Sequence, residues 1–472
     1  MKNFFLILIF LSFSVNSNYL PELGSHSDSI LTKVEEKKVA NKILQNIYKS
    51  NSLFLDLEID DYLKFIVTKL SKQGTQEKLA FEIFMLNDPT INAFAMLGNI
   101  IGVHSGLLLA SRNESEFASV LSHEIAHITQ KHLVRLIDSQ SRESYKNILA
   151  VAVAILAARS NPELATGVLT AANASIIKSF LSFTRENEKE ADRVGLSILT
   201  NAGFDPRGFI SFFETMQKFN RFSSGPAPSF LRTHPVTNDR ISDLEDRVRI
   251  QEFTQQNSSL QFFLAKAKLQ VLVDTSISPS EIFKLNIENK TYLNEKAEFF
   301  GLAYALLKEN KIIESQEILE KLKLSNLDSS MIVELEALIL IKSKKIIEAI
   351  NVYLDGIKKY PRNRALIFGL AKLFNATFMF DKAINLLKDY SNHFSTDSIL
   401  YEILAASYAG QKSKFLEHES LSYCNYYKYD FEEAISQIDL AIKAPDGNFF
   451  QKSRAEYRLK QLQRELELMN NQ

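Results

Sequence analysis

Cysteine is almost missing from this chain. Cys424 is the only one in 472 residues, so no internal disulfide can brace the fold. A surplus of one charge is missing too: 55 Lys and Arg stand against 56 Asp and Glu, which removes the electrostatic case for a nucleic-acid partner. Apolar runs exist at 4–13 and 148–158, but each falls short of the ~20 residues that span a bilayer. What remains is ordinary globular composition, 46% apolar and 24% charged, in a chain long enough for two or three domains.

The N-terminus has the form of an export signal. Met1-Lys2-Asn3 gives a short positive region, residues 4–13 an apolar core, and Val15-Asn16-Ser17 a peptidase site. The mature chain is expected to begin near Asn18, and no cysteine follows that could carry a lipid anchor. From 28 to 70 the pattern is helical, with Leu31, Val34, Val39, Ile43 and Ile47 at helical spacing. Residues 78–109 read as strands. Phe81, Ile83 and Met85 alternate, Asn87-Asp88-Pro89 turns the chain, and a second extended stretch from Ala93 is interrupted at Gly98-Asn99. From Glu114 onward nearly everything reads as helix, so the first domain is expected to be α+β.

The chemistry sits on the helix that starts after Asn113, which forms a capping-box pattern with Glu116. Along it runs His123-Glu124-Ile125-Ala126-His127. Histidines four apart project from one helical face and can share a metal, while Glu124 lies about 100° round from His123, beside the metal but not on it. That position suits a general base toward a water whose pKa zinc lowers to ~7. His132, about 140° from His127 on a continuous helix, is expected to face elsewhere.

A catalytic zinc needs a third protein ligand. The segment Thr184-Arg185-Glu186-Asn187-Glu188-Lys189-Glu190-Ala191-Asp192 supplies acids. Glu188 and Asp192 share a face, so one can bind metal while the other orients a ligand histidine. Glu186 and Glu190, about 160° away from Glu188, are expected to face solvent.

This order of motifs resembles the M48 family of zinc peptidases. The similarity covers about residues 80 to 250 and includes Ile91-Asn92-Ala93-Phe94-Ala95-Met96 and Gly102-Val103-His104-Ser105-Gly106-Leu107-Leu108. It is strongest to the exported branch of that family. The resemblance implies one Zn²⁺ per subunit, Glu188 as third ligand and Asp192 behind the ligands. It also implies an edge strand near Ala93 to Gly102, with Ala93, Phe94, Ala95 and Met96 binding substrate, on which an extended chain pairs by β-addition. Leu97-Gly98-Asn99 departs from the Pro-Gly turn that relatives tend to carry. Downstream, Pro235 biases His234 toward an extended backbone. The resemblance implies that His234 can approach the metal as an extra ligand, gating the site or assisting catalysis. Arg240 is open between transition-state stabilisation and a salt bridge with an acidic neighbour.

Residues 148–158 read as a buried helix, with an active-site lid or peripheral membrane contact as alternatives. In the C-terminal half Ser315, Ala349 and Ala383 recur every 34 residues, each with an alanine twelve before it: Ala303, Ala337 and Ala371. Small residues let paired helices approach, and 34 is the tetratricopeptide period. Glu433-Ala434-Ile435 echoes the motif out of phase, as a capping element does. The expected architecture is a signal peptide at 1–17, an α+β zincin-like metallopeptidase domain at 18–255, mostly helical with a small sheet, and an all-α tetratricopeptide solenoid at 256–472. The expected function is a zinc metalloendopeptidase of the periplasm, acting on unfolded or misassembled envelope and outer-membrane proteins. Its repeats would recruit substrates or the assembly machinery. The alternative is a chaperone-like binding scaffold with a latent metal site.

Overall fold

The computed structural model describes residues 32–50, 52–72, 79–138, 184–222, 229–250, 256–273, 278–325 and 327–470. The expected signal segment, the apolar run at 148–158 and the Pro-rich stretch 224–228 lie outside the described residues. No helix among the described residues is long and apolar enough to cross a membrane.

Two helices come first, α1 (Lys33–Lys49) and α2 (Leu57–Ser71). Each starts on a side-chain cap. Thr32 and Glu35 form a reciprocal capping box, and Asp56 accepts from the Glu58 and Ile59 amides. Three short strands follow: β1 (Glu82–Leu86), β2 (Ala93–Met96) and β3 (Ile100–His104). The sheet order is β1-β3-β2, with β3 parallel to β1 and antiparallel to β2. Gly98 and Asn99 both take positive φ, 77° and 59°, and turn β2 back into β3. The expected edge strand is therefore β2 alone, because the chain beyond that turn becomes the central strand. Phe94 lies across Gly102, its register partner, where a Cβ would meet the ring at 2.2 Å.

The protease region continues as α3 (Ser105–Ala110), α4 (Glu114–Thr129), α5 (His132–Asp138), α6 (Arg185–Asn201), α7 (Arg207–Phe222), α8 (Ser229–Thr233) and α9 (Asn238–Ile250). Every residue of α4 from Glu114 to His127 is buried, which makes it the central helix. It packs against α2, α6, α7 and β2.

The rest is helical: α10 (Leu260–Val273) and α11 (Pro279–Asn289) both pack on α12 (Glu295–Lys308), and hairpins follow, α12 with α13 (Ile312–Leu324), α14 (Ser330–Lys342) with α15 (Ile346–Lys359), and α16 (Arg364–Ala376) with α17 (Phe380–Tyr390). α18 (Ser398–Gly410), α19 (Lys414–Tyr427), α20 (Phe431–Lys443) and α21 (Phe449–Asn470) complete the chain. The paired small residues Ala303/Ser315, Ala337/Ala349 and Ala371/Ala383 are all fully buried. Each hairpin turns on a left-handed residue, at Asn310, Lys344, Phe378 and Lys412, again 34 apart. The period thus runs through a fourth hairpin, α18–α19, beyond the three expected. It was hidden because Ala405 keeps the first small position while Glu417 occupies the second. The echo at Ala434 is half a repeat further on. Ser422, left-handed Tyr429 and Ala434 repeat the spacing, and Ser422 Oγ donates to the Ala434 carbonyl at 2.8 Å as Ser315 Oγ does to that of Ala303 at 2.7 Å.

One continuous apolar core runs from Ile59 on α2 to Ile339 on α14. Two buried cations tie α2 to the repeats. Lys268 on α10 meets Asp56, Glu58 and Glu334 at 2.8, 2.7 and 3.2 Å. Arg364 on α16 meets Asp60, Asp61 and Asp397, each at 2.6 Å.

Candidate metal centre

Asn113 caps α4 as expected, its Oδ1 accepting from the Glu116 amide at 2.9 Å. The reciprocal half of the capping box is absent. Glu116 turns to Arg112 instead, accepting from its amide at 2.8 Å and from its guanidinium at 3.0 and 2.8 Å. A charge-assisted pair outcompetes the neutral cap amide.

From α4 the His123 and His127 imidazoles turn their Nε2 atoms toward each other, 3.1 Å apart. Opposite them runs α6, capped by Thr184. Gly195 allows the two helices to close up: a Cβ there would lie 3.2 Å from the His123 backbone nitrogen. The approach brings Glu188 within 3.5 Å of His123 Nε2 and 3.4 Å of His127 Nε2. His234, just after α8, points Nδ1 at Glu188 (3.0 Å) and at His123 Nε2 (3.3 Å). Its Nε2 lies 3.4 Å from Glu124. Among the described residues His123, His127, Glu188 and His234 can hold one metal ion: their ligand atoms all fall within 4.8 Å of one another, and all four are buried.

Electrostatics follow from this packing. Burial lowers the His123 pKa, but Asp192 and Glu188 overcome it and raise it to about 9. For His127 burial wins and drives the pKa well down. Burial also pushes up the Glu188 carboxyl, yet His234, His123 and His127 hold it well below the usual carboxylate range. Glu124, fully buried, is pushed up by that burial against the pull of His234, His123 and the Ala95 backbone of β2. A carboxylate that stays ionised among imidazoles is a ready anionic ligand, while one poised to accept a proton is a ready base.

Behind the cluster, His123 Nδ1 lies 3.1 Å from Asp192. Arg240 on α9 grips that carboxylate with Nε and a terminal nitrogen at 2.6 and 2.7 Å, and it also reaches Glu188 at 2.8 Å. Of the two roles open to Arg240, the geometry is that of the salt bridge.

Two expectations need correction. His132 does not face away: its Nδ1 is 2.9 Å from His127 Nδ1. α4 ends at Thr129, and Lys131 with φ 54° reverses the chain so that α5 starts at His132. Neither glycine nor proline marks that stop, so helical periodicity carried past it. Glu190 is not simply solvent-facing either; half-exposed, it meets His132 Nε2 at 3.0 Å and Arg135 at 2.6 Å.

Ala93, Phe94, Ala95 and Met96 form the edge strand β2, which packs on α4. Just before it, the Ile91 carbonyl accepts from the Phe230 amide and from Ser229 Oγ, both at 3.1 Å. The segment that presents His234 is thus anchored to the start of that strand. Elsewhere, a cleft of about 1530 Å³ opens between α1, α2 and β1 on one side and the later repeat helices on the other, its lining including Lys64, Phe84, Arg364 and Tyr427.

Residues 59–248 match the model of peptidase family M48. Over 457 residues the chain is 28% identical to the beta-barrel assembly-enhancing protease of Escherichia coli, covering 96% of this chain and 92% of that protein. It is 36% identical over 250 residues to a putative beta-barrel assembly-enhancing protease of Vibrio cholerae, across 53% of this chain and 51% of the relative. A mitochondrial metalloendopeptidase OMA1 of Schizosaccharomyces pombe is 29% identical over 188 residues, 39% of this chain and 52% of the relative. Zinc is the metal of this family, and three imidazoles with one carboxylate, buried and turned inward, are a donor set that zinc accepts.

Proposed function

We propose, for a chain that belongs to peptidase family M48 and is a zinc metalloendopeptidase, that its task is quality control or assembly of outer-membrane proteins in the periplasm. The observation that carries the enzymatic part is the fully buried Glu124 beside three inward-turned imidazoles and Glu188. A pure binding scaffold has no use for a buried base at that place, which weighs against the chaperone-like alternative with a latent metal site.

In this reading His123, His127 and Glu188 hold the zinc, which supplies Lewis-acid polarisation of the scissile carbonyl and of water. Glu124 takes the proton from the attacking water and delivers it to the leaving amine. Asp192, held by Arg240, orients His123. β2 offers its outer edge to an extended substrate, and the Ala95 backbone on that strand is near enough to Glu124 to influence its carboxyl. His234 competes for the position that water needs, so the resting enzyme is restrained until His234 withdraws. Because α8 is anchored on the Ile91 carbonyl, a substrate arriving along β2 meets the element that carries His234. The relative's name supports the outer-membrane assignment, and the signal-like pattern of residues 1–17 supports the periplasm. The repeats and the cleft beside α2 would recruit unfolded clients or the assembly machinery; nucleic acid is no partner.

The test is metal analysis of the purified protein beside cleavage of casein, with and without a chelator. One zinc per chain with chelator-sensitive cleavage is expected. Stoichiometric zinc with no cleavage of any unfolded protein would favour the scaffold.

A further inference from the structure

We propose that His132, Glu190 and Arg135 form a hydrogen-bonded chain that positions His127 as a metal ligand, a counterpart of the Asp192–Arg240 pair behind His123. The inference rests on the reading above in which His127 binds zinc through Nε2.

An imidazole that gives one nitrogen's lone pair to a metal carries its proton on the other. For His127 the inward atom is Nε2, 3.1 Å from His123 Nε2, so the proton sits on Nδ1. That atom is 2.9 Å from His132 Nδ1. Two ring nitrogens at this distance share one proton, so His132 Nδ1 must be the acceptor. His132 then bears its own proton on Nε2, which faces the Glu190 carboxylate at 3.0 Å. Arg135 completes the chain, donating to the same oxygen at 2.6 Å. Every link has one donor and one acceptor, and both arms end on the carboxylate: His127 donates to His132, His132 donates to Glu190, and Arg135 donates to Glu190 from the far side.

Burial gives the arrangement its force. His132 is fully buried, and an acceptor lost at that place would leave the His127 Nδ1–H with a poorer partner inside the core. The ring would then lose both its tautomer preference and its orientation. The chain also ties α5 to α6 across the ligand, because His132 and Arg135 lie on the first and Glu190 on the second. The two helical ligands are thus held alike, with a carboxylate and an arginine behind each. The difference is one imidazole interposed on the His127 side. His132 is a positioning residue, since it touches neither substrate nor the four metal-facing atoms.

The experiment measures zinc affinity by chelator competition and the cobalt(II) absorption spectrum, with thermal melting of the metal-free protein alongside. His132→Leu should weaken zinc binding ~10- to 100-fold and alter the cobalt spectrum. His132→Asn, whose Oδ1 can replace Nδ1 as acceptor, should recover most of that loss. Glu190→Gln, at a half-exposed position that tolerates the change, should weaken zinc a few-fold with an unchanged metal-free melt, and it decides the matter if His132→Leu does not fold. Wild-type affinity in a folded His132→Leu, or equal loss in Leu and Asn variants, overturns the inference. His127→Ala separates the two levels: if it keeps zinc, the ligand assignment itself falls; if it loses zinc while His132→Leu keeps it, only the positioning chain falls.

Discussion

Arg240 and Asp192 form a two-pronged ion pair, 2.6 and 2.7 Å long, in which both side chains are only 2% exposed. The same guanidinium reaches Glu188 and the Pro235 carbonyl, so one residue of α9 braces α6 and the backbone beside His234. Arg240→Met would strand two buried carboxylates. Breaking such a pair from one side typically costs about 3–5 kcal/mol. Urea unfolding of the metal-free variant should show a loss of that order, and a midpoint like that of the parent protein would refute the bracing role.

The base assignment is tested by the smallest possible change. Glu124→Gln keeps the size of a fully buried side chain but removes the group that carries the proton. Zinc content should stay at the parental level while casein cleavage falls by ~10²- to 10⁴-fold. Undiminished cleavage would take Glu124 out of the mechanism.

The third ligand is decided by comparing neighbours on α6. Glu188 is buried among the three imidazoles, whereas Glu186 is exposed. Glu188→Ala should lose most of its zinc by atomic absorption, and Glu186→Ala none. Equal zinc in the two variants would contradict the assignment.

His234 is within 3.0 Å of Glu188 and 3.4 Å of Glu124, so it sits between ligand and base. If it restrains the resting enzyme, His234→Ala should raise the basal rate on an unfolded substrate. A rate that collapses while zinc is retained would place His234 in the chemistry instead.

Lys268 tests the junction. It is the cation shared by Asp56, Glu58 and Glu334, from α2 and α14, and it is almost fully buried. Burial together with Glu334 already pushes the Glu58 carboxyl well above its usual range. Lys268→Met should therefore destabilise the chain by about 3–5 kcal/mol, seen as a lowered melting temperature. The zinc stoichiometry of the folded fraction should not change, because the cluster lies on other helices. Loss of zinc from folded protein would mean that the junction controls the site.

Some of this was legible in the chain alone. Local rules place His123 and His127 on one face of a helix, because four residues are close to one helical turn, and they put Glu124 beside that face. Local rules also reveal the 34-residue period, since small residues must recur wherever paired helices touch. Tertiary structure decided the rest. Glu188 and Asp192 reach His123 only because Gly195 lets α6 close on α4. His132 joins the outer layer through a reversal at Lys131 that no turn residue announces. The fourth repeat kept its left-handed turn at Lys412 while losing the small residue at Glu417. Lys268 and Arg364 look like ordinary charged residues in sequence, yet each collects carboxylates from helices far apart in the chain. Spacing along a helix is fixed by backbone geometry and can be read from residues, but which helices meet depends on packing and charge pairing across the whole core.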